Sequence, residues 1–232
     1  MRPGEGDVDL FASLLEVLVP TRCAGCDLPG QLLCDECART LPYVDPTWAC
    51  PRCGAPFGYI TCTECWNRET AFTQGICVGS LEPPLSRCVT LFKDAGERRL
   101  GDILGSLVAT AAGEWSGWAQ VVVPVPASAE AVRRRGFDHT ALLASGVARR
   151  LEVPLLTPLA CAGARDQRTL GRIDRARNVS DTFVPRPGVV LPPRVLCIDD
   201  VMTTGSTLDA AAVALLEAGA EEVRVGAVAR AW

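Results

Sequence analysis

Two adjacent carboxylates, Asp199 and Asp200, end an apolar run from Val195 to Ile198 and are followed closely by Thr203, Thr204, Gly205, Ser206 and Thr207. A short, partly β-branched apolar run reads as a buried strand. The polar residues open an apolar, helix-like segment from Leu208 to Ala218, so hydroxyls and backbone N–H groups gather at a helix N-terminus. Unpaired amides and the helix dipole make such a place an anion site. The acids beside it offer anchors for a sugar diol or for Mg²⁺ next to the phosphate anchor. A plain strand, turn and capped helix would account for a lone Thr-Gly-Ser. It does not account for two acids at a strand's carboxyl end, where open α/β sheets bind ligands.

A second constellation lies near the other end of the chain. Eight of the twelve cysteines form four Cys-x-x-Cys pairs: Cys23/Cys26, Cys34/Cys37, Cys50/Cys53 and Cys62/Cys65. Seven, twelve and eight residues separate them, so the segment reads as two similar modules joined by Leu41 to Ala49. One such knuckle aims two thiolates at a tetrahedral ion, and two knuckles complete a closed Cys₄ shell. Eight ligands imply two structural zinc ions, with an iron–sulfur cluster as the alternative that uses the same ligand set. Sequential sharing (Cys23, Cys26, Cys34, Cys37 on one ion; Cys50, Cys53, Cys62, Cys65 on the other) follows from the matching gaps, and interleaved sharing satisfies the same count. Metal binding, worth about 10 to 16 kcal/mol in zinc-finger peptides, would supply most of the folding energy of so short a segment. From Thr21 to Thr70 the head carries four arginines and six acids. That is a poor footprint for a phosphate backbone, and Trp48 and Trp66 read as packing residues. A protein-docking or intramolecular role fits the head better.

The elements that must position these residues follow from composition and periodicity. With 232 residues, 48% hydrophobic and 22% charged, the chain reads as one or two folded domains and not as a disordered one. A net charge of −4 leaves no whole-protein basic field for nucleic acid or anionic membrane. Leu10 to Val19 has acids before it and Glu16 within it, unlike a secretory leader, and is too short to cross a bilayer. It is expected to be an amphipathic helix, residues 1–20, in a cytoplasmic protein whose thiols stay reduced. The cysteine domain is expected at 21–72 and the body at 73–232. Within the body, Gln74–Leu81 reads as a strand, and Pro84–Phe92 and Arg98–Ala112 as helices. Gln120–Val123 reads as a strand entering a Pro-rich loop, Val125, Pro126 and Ala127, before a helix start bearing Arg133, a second anion-binding arrangement. Val153–Leu159 and Glu222–Val228 read as further strands. This alternation implies a parallel α/β sheet. Cys161 to Pro187 is long and irregular, which points to a functional loop. From Arg133 to Arg177 there are ten arginines against four acids, a local bias toward an anionic partner. Lys93 is expected to be solvated, with phosphate contact as its lesser alternative, and His139, the only histidine, to be a surface or capping residue in preference to a general base.

Taken in order, the apolar N-terminal run, the paired knuckles, VVVPVP, RRRGFDHTALLA, RTLGRIDRARNV and VLCIDDVMTTGST resemble the ComF family, which takes in ComFC- and GntX-type proteins. The resemblance covers almost the whole chain. It implies a type I phosphoribosyltransferase-like α/β domain, a parallel sheet flanked by helices, behind a small Cys-rich zinc-ribbon domain. It further implies Mg²⁺-dependent binding of phosphoribosyl pyrophosphate (PRPP). Asp199 and Asp200 would hold the ribose hydroxyls, directly or through Mg²⁺, and Thr203 to Thr207 the 5′-phosphate. Val125, Pro126 and Ala127 would meet pyrophosphate with Arg133, while Arg165, Arg168 and Arg177 would close over the site. Family members often read Arg-Gly-Phe-Asn-Gln where this chain has Asp138 and His139. Purine-salvage relatives carry an acid where this chain has Thr203, which disfavours hypoxanthine or guanine as acceptor. Two functions stay open: a phosphoribosyl transferase, or a non-catalytic accessory of DNA uptake, natural transformation or recombination that uses the domain as a PRPP sensor or scaffold. Single-stranded DNA as a partner is not indicated by the net charge.

Overall fold

A computed structural model describes residues 20–56, 60–162 and 182–231. The expected helix at 1–20 lies almost wholly outside them, as do Arg165, Arg168 and Arg177. The cysteine head contains two short helices, α1 (Asp35–Arg39) and α2 (Thr63–Trp66). The body runs β1 (Gln74–Ser80), α3 (Leu85–Lys93), α4 (Leu100–Ala111), β2 (Val121–Pro124), α5 (Ala129–Arg135), α6 (His139–Leu151), β3 (Leu159–Cys161), β4 (Phe183–Pro185), β5 (Arg194–Met202), α7 (Ser206–Glu217) and β6 (Glu222–Arg230). Strands β1, β6, β5 and β2 pair in that order, all parallel, with Val195 of β5 opposite Val121 and Val223. β3 and β4 form a separate antiparallel pair.

Val153 to Leu159 is not a strand. It contributes a single parallel bridge, Leu155 to Val122. Pro154 and Pro158 supply no N–H to a ladder, so pairing stops on either side of that bridge. Among the described residues that follow Cys161, β4 returns to pair with β3.

Side chains alternate across the sheet, as a period of two requires. Val195 and Cys197 of β5 pack on one face with Leu208, Ala211 and Leu215 of α7. Leu196 and Ile198 pack on the other with Phe92 of α3, Leu104 and Val108 of α4, and Leu143 and Val147 of α6. The head divides along the same line. Cys50, Cys53, Ala55, Cys62 and Cys65 join the α7 face, whereas Ala24 and Leu41 join the three-helix face. The two modules therefore extend the two cores of the body on opposite sides of edge strand β1.

Helices α4 and α6 approach closely because glycines meet between them. A Cβ on Gly105 would lie 2.8 Å from the Cα of Gly146, and one on Gly146 would lie 2.9 Å from the carbonyl of Gly101. Neither contact is with a side chain that could swing away. Gly105→Ala or Gly146→Ala is expected to destabilise the protein by about 1 to 3 kcal/mol through overpacking, read as a lower denaturation midpoint. An unchanged midpoint would mean that the helix pair separates without penalty. The packing matters for the site, because α6 begins there.

Candidate functional site

β5 and β2 end side by side, and their carboxyl ends open into a cavity of about 300 Å³. Val125, Pro126, Ala127, Asp199, Asp200 and Thr207 line it together with Lys93, Arg135, His139, Thr140 and Phe183. The sheet's alternation sends the two acids to different surroundings. Asp200 faces the three-helix side, where its Oδ2 lies 2.7 Å from Nζ of Lys93 at the end of α3 and 3.3 Å from Nε2 of His139 at the start of α6. Neither contact is an aligned hydrogen bond, and among the described residues this oxygen has no hydrogen-bond partner. Burial raises the Asp200 carboxyl, but His139 and Lys93 outweigh it and hold the group well below the usual carboxylate range. For Asp199, burial and then the neighbouring Asp200 charge push the carboxyl up to about 8. One acid is thus held ionised and the other favours its proton, as two close carboxylates in a poorly solvated site must.

His139 is neither exposed nor a cap. It is buried, at 6% exposure, and the capping is done by Asp138, whose Oδ1 accepts from the Ala141 amide and the Thr140 hydroxyl. Thr140 also donates to the Val125 carbonyl at 2.7 Å, tying the start of α6 to the Pro-rich loop. Arg135 lies 3.2 Å from Nδ1 of His139, and its buried Nε has no partner among the described residues. Arg133, two residues earlier and so about 200° round the helix, is exposed on α5 and outside the cavity lining, and Arg135 stands in the place expected of it. Lys93 is not a solvated residue either. Its one visible sign was its position at the end of an amphipathic helix, where a cation is favoured by the dipole in any case, so nothing local distinguished it.

Thr203 to Gly205 form the turn between β5 and α7. Gly205 takes the left-handed conformation, φ 75°, and, having no side chain, does not itself cap α7. The hydroxyls of Thr204 and Ser206 lie 2.8 Å apart, and the Ser206 amide donates to the Thr204 hydroxyl. The turn joins a helix start to a pair of hydroxyls, beside Asp199 and Asp200.

The cysteines sort as sequential sharing requires. The sulfurs of Cys23, Cys26, Cys34 and Cys37 lie within 4.8 Å of one another, as do those of Cys50, Cys53, Cys62 and Cys65. A tetrahedron with Zn–S bonds of about 2.3 Å has edges of about 3.8 Å. Cys26 to Cys34 is 3.8 Å and Cys53 to Cys62 is 3.7 Å, far beyond a disulfide bond. Backbone amides point at the sulfurs, Cys34 N to Cys23 and Cys62 N to Cys50, each at 3.3 Å. Such donors stabilise thiolate. Burial alone would raise Cys23, but the amides of Cys34, Cys26 and Gly25 bring it down to about 6. Both groups could therefore hold zinc.

The phosphoribosyl transferase domain family matches residues 138–231, which run from the cap of α6 through β6. Competence protein F of Haemophilus influenzae is 28% identical over 209 residues, covering 85% of this chain and 89% of that protein. The DNA utilization protein YhgH of Salmonella typhi is 29% identical over 238 residues, covering 91% and 98%. Among solved structures, a glutamine PRPP amidotransferase from B. subtilis matches at 28% identity with a TM-score of 0.40, over 55% of this chain and 25% of that one, a likeness on which nothing here rests. Among the described residues no helix is long and apolar enough to cross a membrane. Four-cysteine groups in the head, the phosphoribosyl transferase domain match behind them and these homologues together bear out the resemblance to the ComF family.

Proposed function

We propose that the cavity binds Mg²⁺·PRPP and that the protein is a phosphoribosyltransferase. The observation that carries the reading is convergence. Two acids, Thr207 from the hydroxyl-rich start of α7 and the cations Lys93 and Arg135 line one cavity at the carboxyl ends of β5 and β2, and Thr203 to Ser206 adjoin Thr207 in the chain. Asp199 and Asp200 suit the two ribose hydroxyls, the Thr203–Thr207 turn suits the 5′-phosphate, and Val125 to Ala127 with Lys93 and Arg135 suit pyrophosphate. An acceptor's lone pair would attack C1′ while the C1′–O bond breaks and its electrons leave with pyrophosphate. Lys93, Arg135 and the loop amides are placed to meet the charge that develops on the leaving group. Mg²⁺ bound with the substrate would supply further neutralisation of the pyrophosphate oxygens. Residues 73–232 are taken as the transferase body and 21–72 as the zinc head.

Isothermal titration of PRPP is expected to give binding only when Mg²⁺ is present. The double variant Asp199→Asn/Asp200→Asn is expected to weaken it by about 100-fold, since charge-assisted hydrogen bonds contribute about 1.5 to 3 kcal/mol each. Undiminished binding by that variant would refute the assignment. A second reading is favoured by the names of the relatives, matched over most of both chains: an accessory role in DNA uptake or utilisation, with PRPP sensed but not consumed. It predicts PRPP binding without pyrophosphate release across a panel of acceptors. The transferase reading requires release with at least one of them.

A further inference from the structure

The second four-cysteine group touches the phosphate turn. Arg68, just after α2, donates from NH1 to the carbonyl of Thr204 at 2.5 Å and pairs through NH2 with Asp209 of α7 at 3.2 Å. The Ala71 amide donates to the other oxygen of Asp209 at 2.7 Å. From the end of β6, Arg230 is 1% exposed; its guanidinium donates to the carbonyls of Met202 and Thr203 and pairs with Glu64. Glu64 lies between Cys62 and Cys65. Arg52 lies between Cys50 and Cys53, and its guanidinium donates to the carbonyl of Arg68 at 2.5 Å. Each knuckle of this group thus spends a non-ligand residue on a contact that leads to the turn.

The same module has no room to shift on the sheet. A Cβ on Gly54, which has φ +68°, would lie 2.7 Å from the Cα of Ile76, and the Cys77 thiol donates to the Cys53 carbonyl at 3.7 Å. Held against β1 on one side, it fixes the carbonyls of Thr203 and Thr204 on the other. A trans peptide is planar, so a carbonyl turned toward the head turns the following amide, Thr204 N–H or Gly205 N–H, away from it. The first group is joined to the body elsewhere, where Arg87 of α3 donates to the Gly25 carbonyl and pairs with Asp27.

We propose that Arg68 and the Glu64–Arg230 pair are positioning residues through which the second four-cysteine centre sets the amide directions of the phosphate turn, making that centre a determinant of anion binding in the body. The affinity arm of the test rests on the PRPP reading, and the exchange arm does not. Hydrogen–deuterium exchange of the ligand-free full chain, followed on a fragment spanning residues 202–207, should quicken by about tenfold in Arg68→Ala, the equivalent of one charge-assisted hydrogen bond. Asp209→Asn should give the same result, and both variants should keep the metal content of the unmodified chain. Cys65→Ser should loosen the fragment as well, whereas Arg87→Ala should leave it unchanged. Unaltered exchange in Arg68→Ala and Asp209→Asn would overturn the proposal, and so would a fragment indifferent to Cys65→Ser. PRPP titration with Mg²⁺ should show a parallel loss of about tenfold in Arg68→Ala. Should the unmodified chain bind no PRPP, the functional reading fails while the exchange result still decides the coupling.

Discussion

A strong chelator is expected to strip metal from the protein in two phases of equal size, the second slow and accompanied by unfolding. The two groups have the same ligands but different surroundings. Cys26 is exposed and Cys34 half-buried in the first, whereas all four cysteines of the second are buried beneath the α7 face of the sheet. A chelator must reach the ion or wait for an opening, and openings of a packed module are rare. Loss of the second ion would return protons to its thiols and remove the bonds that hold them together, inside a cluster that includes Phe72, Val225 and Ala227. Cys62→Ser with Cys65→Ser should therefore lower the melting temperature by about 10 °C or more, on a scale where each kcal/mol moves a domain of this size by about 2 to 4 °C. Cys26→Ser should lower it less. Metal release followed with a colorimetric indicator, beside zinc and iron quantitation, checks both points. Single-phase release, or a melting temperature indifferent to the chelator, would refute the picture of two unequal centres, and a visible charge-transfer band would replace zinc by an iron–sulfur cluster.

Asp199→Asn is expected to stabilise the ligand-free protein at pH 8, and Asp200→Asn to destabilise it. Asp199 has a folded-state pKa raised to about 8 by burial and by Asp200. Its contribution to stability is fully present below the unfolded-state value near 4, and is lost as the pH rises toward 8, because ionising it costs more in the folded protein than in the unfolded one. Asp200 is depressed by His139 and Lys93 against the opposing effect of burial. Its contribution is present above about pH 4 and lost only in acid. At pH 8 the Asp199 substitution should therefore gain on the order of 2 kcal/mol, and the gain should vanish at pH 4. The Asp200 substitution leaves Lys93 and His139 without their acid and should lose a similar amount. Denaturation curves at both pH values read these opposite signs. Asp199→Asn protein no more stable than the unmodified chain at pH 8 would mean that Asp199 is ionised at no cost. A site that is destabilising when empty is what a ligand-binding function predicts.

Much of this was local and therefore legible along the chain. The four Cys-x-x-Cys knuckles and their matching gaps were legible, and the structure chose sequential over interleaved sharing. The strand, acids and hydroxyl-rich helix start at Val195 to Thr207 are contiguous, so their order alone brought them together. Alternating strand and helix patterns sufficed for a parallel sheet, and the prolines at 154 and 158 were visible as obstacles to the strand expected there. What surrounds each acid was decided by tertiary structure. The alternation of β5 turns Asp200 toward the face that α3 and α6 cover, which brings in Lys93 and His139 from distant parts of the sequence. Neither carried a local mark, since a helix-terminal lysine and a histidine beside a capping aspartate are ordinary on a surface. Arg68, Glu64 and Arg230 were equally silent. Their meaning depends on the head lying across both faces of the sheet's edge, a packing set by which cysteine module has its apolar residues against which core. Composition and spacing determined which ions and anions the chain is built to hold; the fold alone decided that one of the metal groups leans on the turn beside the acids.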